Sequence, residues 1–100
     1  MNKFQLGRTV ATPGALKVLA DAGLTTYDIL QRHTKGDWGD MSHEDAAMND
    51  GAITPGSDCY GCRIFSSYEL STGEKVWCIT TAIGDDDHRE STCILLPDEY

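Results

Sequence analysis

The chain has 100 residues, 40% of them hydrophobic and 24% charged, the size and composition of one globular domain rather than a disordered segment. Sixteen acids against eight bases leave a formal charge of −8, which repels phosphate backbones and anionic lipids and argues against direct nucleic-acid or membrane binding. No apolar run approaches the roughly 18 residues of a membrane span, and the opening MNKFQLGRTV has no apolar signal core. The expected compartment is therefore the cytoplasm, with the four cysteines as thiols.

Residues 4–10 suggest a short edge strand. Thr12-Pro13 then opens a helix, with a hydroxyl at the N-cap and a proline where its missing N–H is harmless. Ala15, Leu16, Leu19 and Ala20 supply its apolar stripe, and Gly23 its stop. Thr25 and Asp28 form a capping box for a second helix, with Leu24 and Ile29 as the hydrophobic staple. Tyr27, Ile29 and Leu30 supply that helix's apolar face, and Gly36 ends it. Ser42 with Asp45 caps a third helix over 43–50, whose apolar face (Ala46, Ala47, Met48) is thin. The stretch AITPGSDCYGC reads as loop around Pro55-Gly56.

The period then changes from helical to alternating. RIFSSYEL and KVWCITTA read as strands joined by a hairpin over 71–74. STCILL reads as a third, ended by Pro97. The expected fold is α+β: two to three N-terminal helices packed on a C-terminal three-stranded antiparallel meander, covering one face of it.

Several short patterns carry candidate chemistry. Cys59 and Cys62 have the CxxC spacing of a zinc knuckle or redox pair, but Cys78 and Cys93 fall within predicted strands and are poor partners for a distant turn. Pairing those strands about the loop near 85 and 86 puts Cys78 and Cys93 opposite each other in the core. Asp85, Asp86, Asp87 and His88 offer hard ligands without the spacing of a calcium loop; a solvated hairpin tip is the simpler reading. His33, His43 and His88 fall in separate elements and in no recognisable catalytic motif. No catalytic residue, metal or cofactor is assigned, and Cys59, Cys62 and His88 are the weak metal candidates.

The acidic stretch GDWGDMSHEDAAMNDG, residues 36–51, holds five acids and no Lys or Arg. Trp38 serves there either as a plug in the core or as an interface anchor, since tryptophan is favoured at binding hot spots. The residues expected to meet a partner are Asp37, Trp38, Asp40, Glu44 and Asp45, with Asp85, Asp86 and Asp87. The expected partner is a protein with a basic surface.

The segments ATPGAL (11–16), GDWGD (36–40), RIFSSY (63–68) and LLPDEY (95–100) together resemble a family of small bacterial proteins carried on plasmids and integrated elements. The resemblance spans nearly the whole chain and implies a mobile-element setting, with no activity to carry over. The chain departs from that pattern at the TPGSDCYGC loop and at IGDDDH. Two functions follow as expectations. One is a non-catalytic acidic binding protein that antagonises a host restriction or CRISPR system by occupying a basic surface. The other is a structural or regulatory partner of another element-encoded protein, using Trp38 and the helical face. A small metal or redox protein built on the CxxC stands behind both.

Overall fold

A computed structural model describes residues 2–100. Its elements run β1 (Arg8–Ala11), α1 (Pro13–Asp21), α2 (Thr26–Thr34), α3 (His43–Ala52), β2 (Ile64–Glu69), β3 (Lys75–Thr80) and β4 (Ser91–Leu95), followed by a single 3-10 turn, Pro97–Glu99. The sheet order is β1-β4-β3-β2. The α+β class and the antiparallel β2-β3-β4 meander stand, but the sheet has four strands and is mixed, because β1 lies parallel to β4. Without β1 the outer edge of β4 would present unpaired peptide groups. The N–H of Arg8 donates to Glu90 O at 3.0 Å and that of Thr12 to Ile94 O at 3.0 Å.

The helix starts lie where their capping residues put them. Thr12 Oγ1 accepts from the Ala15 N–H, and Ser42 Oγ from the Asp45 N–H. Thr25 and Asp28 bond reciprocally as a capping box. Gly23 takes a φ of +75°, and the Leu24 N–H reaches back to Leu19 O at 2.9 Å. That bond satisfies a helix-end carbonyl as only a left-handed residue allows without strain.

The buried helix faces are rotated from those expected. In α1, Val18 replaces Leu16 in the stripe with Ala15 and Leu19; Leu16 is 49% exposed. In α2 the buried residues are Ile29, His33 and Thr34, and Tyr27 is exposed. In α3 they are Asn49 and Ala52, leaving Met48 at 57% exposure. In α2 and α3 polar residues take buried positions because β2 and β3 offer them partners: Ser66 and Thr80 for His33, and the Phe65 peptide for Asn49.

One sheet face carries Ile64, Ser66 and Tyr68 from β2, Val76, Cys78 and Thr80 from β3, and Thr92 and Ile94 from β4, all buried. Helices α1 and α2 pack Ala15, Val18, Leu19 and Ile29 onto it. Trp38, Ala52 and Ile64 form a second, smaller cluster beside it. The opposite face lies away from α1 and α2; Phe65, Trp77, Ile79 and Cys93 are partly buried on it, and Ser67 and Leu95 are buried among them. Cys78 pairs with Ile94, and Cys93 with Ile79. The register is thus one residue away from the expected one, which sends the two thiols to opposite faces. Burial pushes the Cys78 thiol well up, and Cys93 up as well; both are protonated at neutral pH.

A polar chain crosses the covered face. His33 Nδ1 lies 2.5 Å from Ser66 Oγ, and Nε2 lies 2.8 Å from Thr80 Oγ1. Thr80 Oγ1 is 2.7 Å from Thr92 Oγ1, which donates to Leu6 O at 2.8 Å. A carbonyl only accepts, so each proton direction follows from that end. Thr80 donates to Thr92, His33 Nε2–H donates to Thr80, and the Ser66 hydroxyl donates to Nδ1. His33 is therefore the neutral Nε2–H tautomer. Burial, aided by the positive charge of Arg89, lowers its pKa from 6.5 to about 3.

Candidate functional site

The GDWGD corner is built against the outer edge of β2. Gly39, at φ +74°, comes so close that an added Cβ would collide with the Ser67 carbonyl. The Ser67 N–H donates to Trp38 O at 3.2 Å, and the Asp40 N–H to Ser67 O at 2.8 Å. One residue pair further along, the Asn49 side chain continues the same task. Its Nδ2 donates to Phe65 O at 2.6 Å, and its Oδ1 accepts from the Phe65 N–H at 3.1 Å. Corner and helix together close the edge of β2 at Phe65 and Ser67 to any further strand.

Trp38 is a plug: it is 6% exposed. Its indole N–H donates to Asp50 Oδ1 at 2.9 Å, and its ring packs near Phe4 and edge-on to His33. An anchor for an outside partner needs an exposed ring, which the corner does not provide. Asp37 binds Arg32 through both oxygens, at 2.6 and 3.3 Å, and the guanidinium holds its carboxyl below the usual carboxylate range. The Arg32 guanidinium also lies over the Tyr68 ring, 4.5 Å from its centroid, and the Tyr68 hydroxyl donates to Asp37 O. Asp40 pairs with Lys75 at 2.9 Å. Burial works to raise the Asp40 carboxyl, but its bonds to Lys75 and Ser67 outweigh that and leave it low.

Glu44 and Asp45 occupy the first turn of α3, where the helix dipole favours them. Among the described residues neither carboxylate has an ion-pair partner. Asp45 and Asp40 line a groove of about 850 Å3 that runs between α3 and the uncovered sheet face. Met41 and Met48 form one wall, Phe65 and Trp77 the other. The Phe65 and Trp77 rings meet edge-to-face at 4.8 Å, and Tyr100 adds a third ring 5.6 Å from Trp77.

The remaining candidates lie elsewhere. Lys75, beside Asp40, begins β3, whereas Asp85, Asp86 and Asp87 follow its far end. The six residues of β3 at roughly 3.3 Å each separate the two acidic groups by about 20 Å. Asp86 Oδ1 accepts from the His88 N–H, and the His88 Nδ1 contacts Asp86 O at 2.7 Å, so these groups close the hairpin tip on itself. Cys59 is partly buried against Met48 O, and Cys62 is exposed. Among the described residues no three His, Cys, Asp or Glu side chains converge as a metal site requires.

Two arrangements escape a reading of the sequence. Ser66 and His33 stand at the separation of a nucleophile and its base, but both are fully enclosed, which denies a substrate any approach. Their 33-residue separation leaves no local signal. Arg89 looks like part of a polar loop and is 6% exposed. Its guanidinium donates to Cys62 O at 2.7 Å, Thr81 O at 3.0 Å and Ala52 O at 3.0 Å. The Ile83 N–H also donates to Gly61 O at 2.8 Å. The CYGC turn and the 81–90 loop are thereby joined into one unit at one end of the sheet.

No helix of the described residues is long and apolar enough to cross a membrane. Comparison of the chain with protein-family models, curated proteins and solved structures finds no match.

Proposed function

We propose that this is a non-catalytic binding protein of a bacterial mobile element, acting in the cytoplasm on a partner protein that presents a basic surface. Antagonism of a host restriction or CRISPR effector is the use that fits this chemistry best. One observation carries the reading: much of the positive charge is consumed internally while most acids are not. Of eight bases, Lys17, Arg32 and Lys75 are paired with Asp21, Asp37 and Asp40, and Arg89 is buried on carbonyls. Glu44, Asp45 and the Asp85–Asp87 run stay exposed. A surface of this kind competes with nucleic acid for a cationic groove and accelerates encounter with it.

The test is co-purification of the tagged protein with restriction and CRISPR effector complexes at low salt, followed by competition with duplex DNA. Retention that DNA displaces, and that weakens as salt screens the charges, is the expected result. Failure of every such effector to be retained or inhibited at low salt ends the proposal.

A further inference from the structure

We propose that the groove between α3 and the uncovered sheet face is the docking site for a short amphipathic segment of the partner, carrying apolar anchors beside Lys or Arg. This deepens the reading above and rests on it. The groove volume, about 850 Å3, has room for a few large side chains rather than a whole domain. Its apolar walls come from two kinds of surface. The Phe65 and Trp77 rings are braced by each other and by Tyr100 behind them, whereas Met41 and Met48 are flexible thioethers that adapt to the shape they meet. Rigid aromatics facing methionines suit apolar anchors without demanding one sequence.

Charge identifies the occupant. Two cations border the groove, and both are engaged: Lys75 by Asp40, and Arg63 by the Tyr100 hydroxyl and the adjacent rings. Asp45, on the α3 side, has no cationic partner among the described residues, and Glu44 beside it is likewise open. Lys75 and Asp40 cancel and Arg63 keeps its charge, so the lining itself is balanced; the unpaired acids lie on the α3 side, and within a chain of net −8 they favour a segment that sets its Lys or Arg against Asp45 and Glu44. The mode is set by the closed edge of β2. Asn49 and the 38–40 corner occupy its outward peptide groups at Phe65 and Ser67, so the segment docks through side chains rather than as an added strand.

The probe is a synthetic amphipathic Leu/Lys helix, with its Leu/Glu counterpart as control, titrated at low salt into the 15N-labelled protein. The expected shifts centre on Met41, Asp45, Met48 and the Trp77 indole, and the Glu peptide produces none. Met48→Ser and Asp45→Asn each weaken binding several-fold while the melting temperature holds within a few degrees. Shifts centred on Asp85–Asp87, or unchanged binding by Met48→Ser, overturn the groove and leave the basic-partner reading standing. Equal binding of both peptides overturns the charge argument. No binding of the Lys peptide anywhere overturns the groove proposal and leaves the basic-partner reading to the effector co-purification.

Discussion

The two faces of the sheet alternate with the same period and have opposite fates. On the covered face, Ser66, Thr80, Thr92 and His33 are fully buried, and each finds a partner. On the other, Phe65 and Trp77 are apolar and yet only partly buried. Apolar patterning alone would have assigned them the other way round. Burial is decided by which face the helices cover, and a polar residue is tolerated under a helix when every donor meets an acceptor. The covered face is therefore specified by a complete hydrogen-bond chain, and the open one by shape and rings.

That contrast is broken most directly at His33. His33→Ala removes a fully buried ring, leaves the Ser66 hydroxyl without its acceptor and takes from Thr80 the donor it accepts from, so a loss of about 3–5 kcal/mol is expected in urea unfolding. A loss under about 1 kcal/mol would show that the polar chain does not hold the covered face. Acid supplies a milder version of the same break. The folded pKa of His33, about 3, lies below its ordinary 6.5, so between these values the unfolded chain binds a proton that the folded one refuses. The stabilisation is complete above about pH 6.5 and falls by about 1.4 kcal/mol per pH unit as pH drops toward 3. Between about pH 6.5 and 4.5 that is close to 3 kcal/mol. The carboxylates held low by Arg32 and Lys75 begin to matter only below their ordinary 3.8, so the two windows separate. Imidazole NMR signals of His33 that titrate near pH 6.5 would refute this assignment.

How much of this was legible in the sequence follows from how local each signal is. The caps at Thr12, Thr25 and Ser42 act over three residues and place all three helix starts. The alternation of 64–69 and 75–80 places two strands and their hairpin. Pairing of Arg8 with Ser91 joins opposite ends of the chain and leaves no periodic trace, so the fourth strand's partner and direction were hidden. The acidic half of the groove, Asp40 and Asp45, was visible as composition. Its aromatic half was not, because Phe65 and Trp77 read equally well as core. Asn49 had no signal at all: its role depends on the Phe65 backbone lying within reach.

Arg89 makes the next smaller break, at one end of both faces. Arg89→Ala leaves the carbonyls of Cys62, Thr81 and Ala52 without their shared donor, so a cost of about 2–3 kcal/mol is expected. Hydrogen exchange should quicken first at Ile83, whose N–H donates to Gly61 O, and at Gly61, whose N–H donates to the Ala52 O that Arg89 shares. Uniform quickening across the sheet would mean that the two loops are not a separate unit.

The smallest stability effect belongs to the open face. Trp77 is large, but its ring is partly open to water and its neighbours Phe65 and Tyr100 meet it edge-on. Trp77→Ala therefore loses part of one side chain's burial and two aromatic contacts, about 1–2 kcal/mol. No sealed cavity opens, because solvent reaches the vacated space, and no hydroxyl is left unbonded. The variant should stay folded, with the His33 resonances unmoved, since Trp77 and the polar chain lie on opposite sides of the sheet. If its cost equalled that of His33→Ala, the open face would be core in energetic terms, and the distinction between the faces would fail. If the cost is small while binding of the Leu/Lys peptide is lost, the ring is held at the surface for contact rather than for stability.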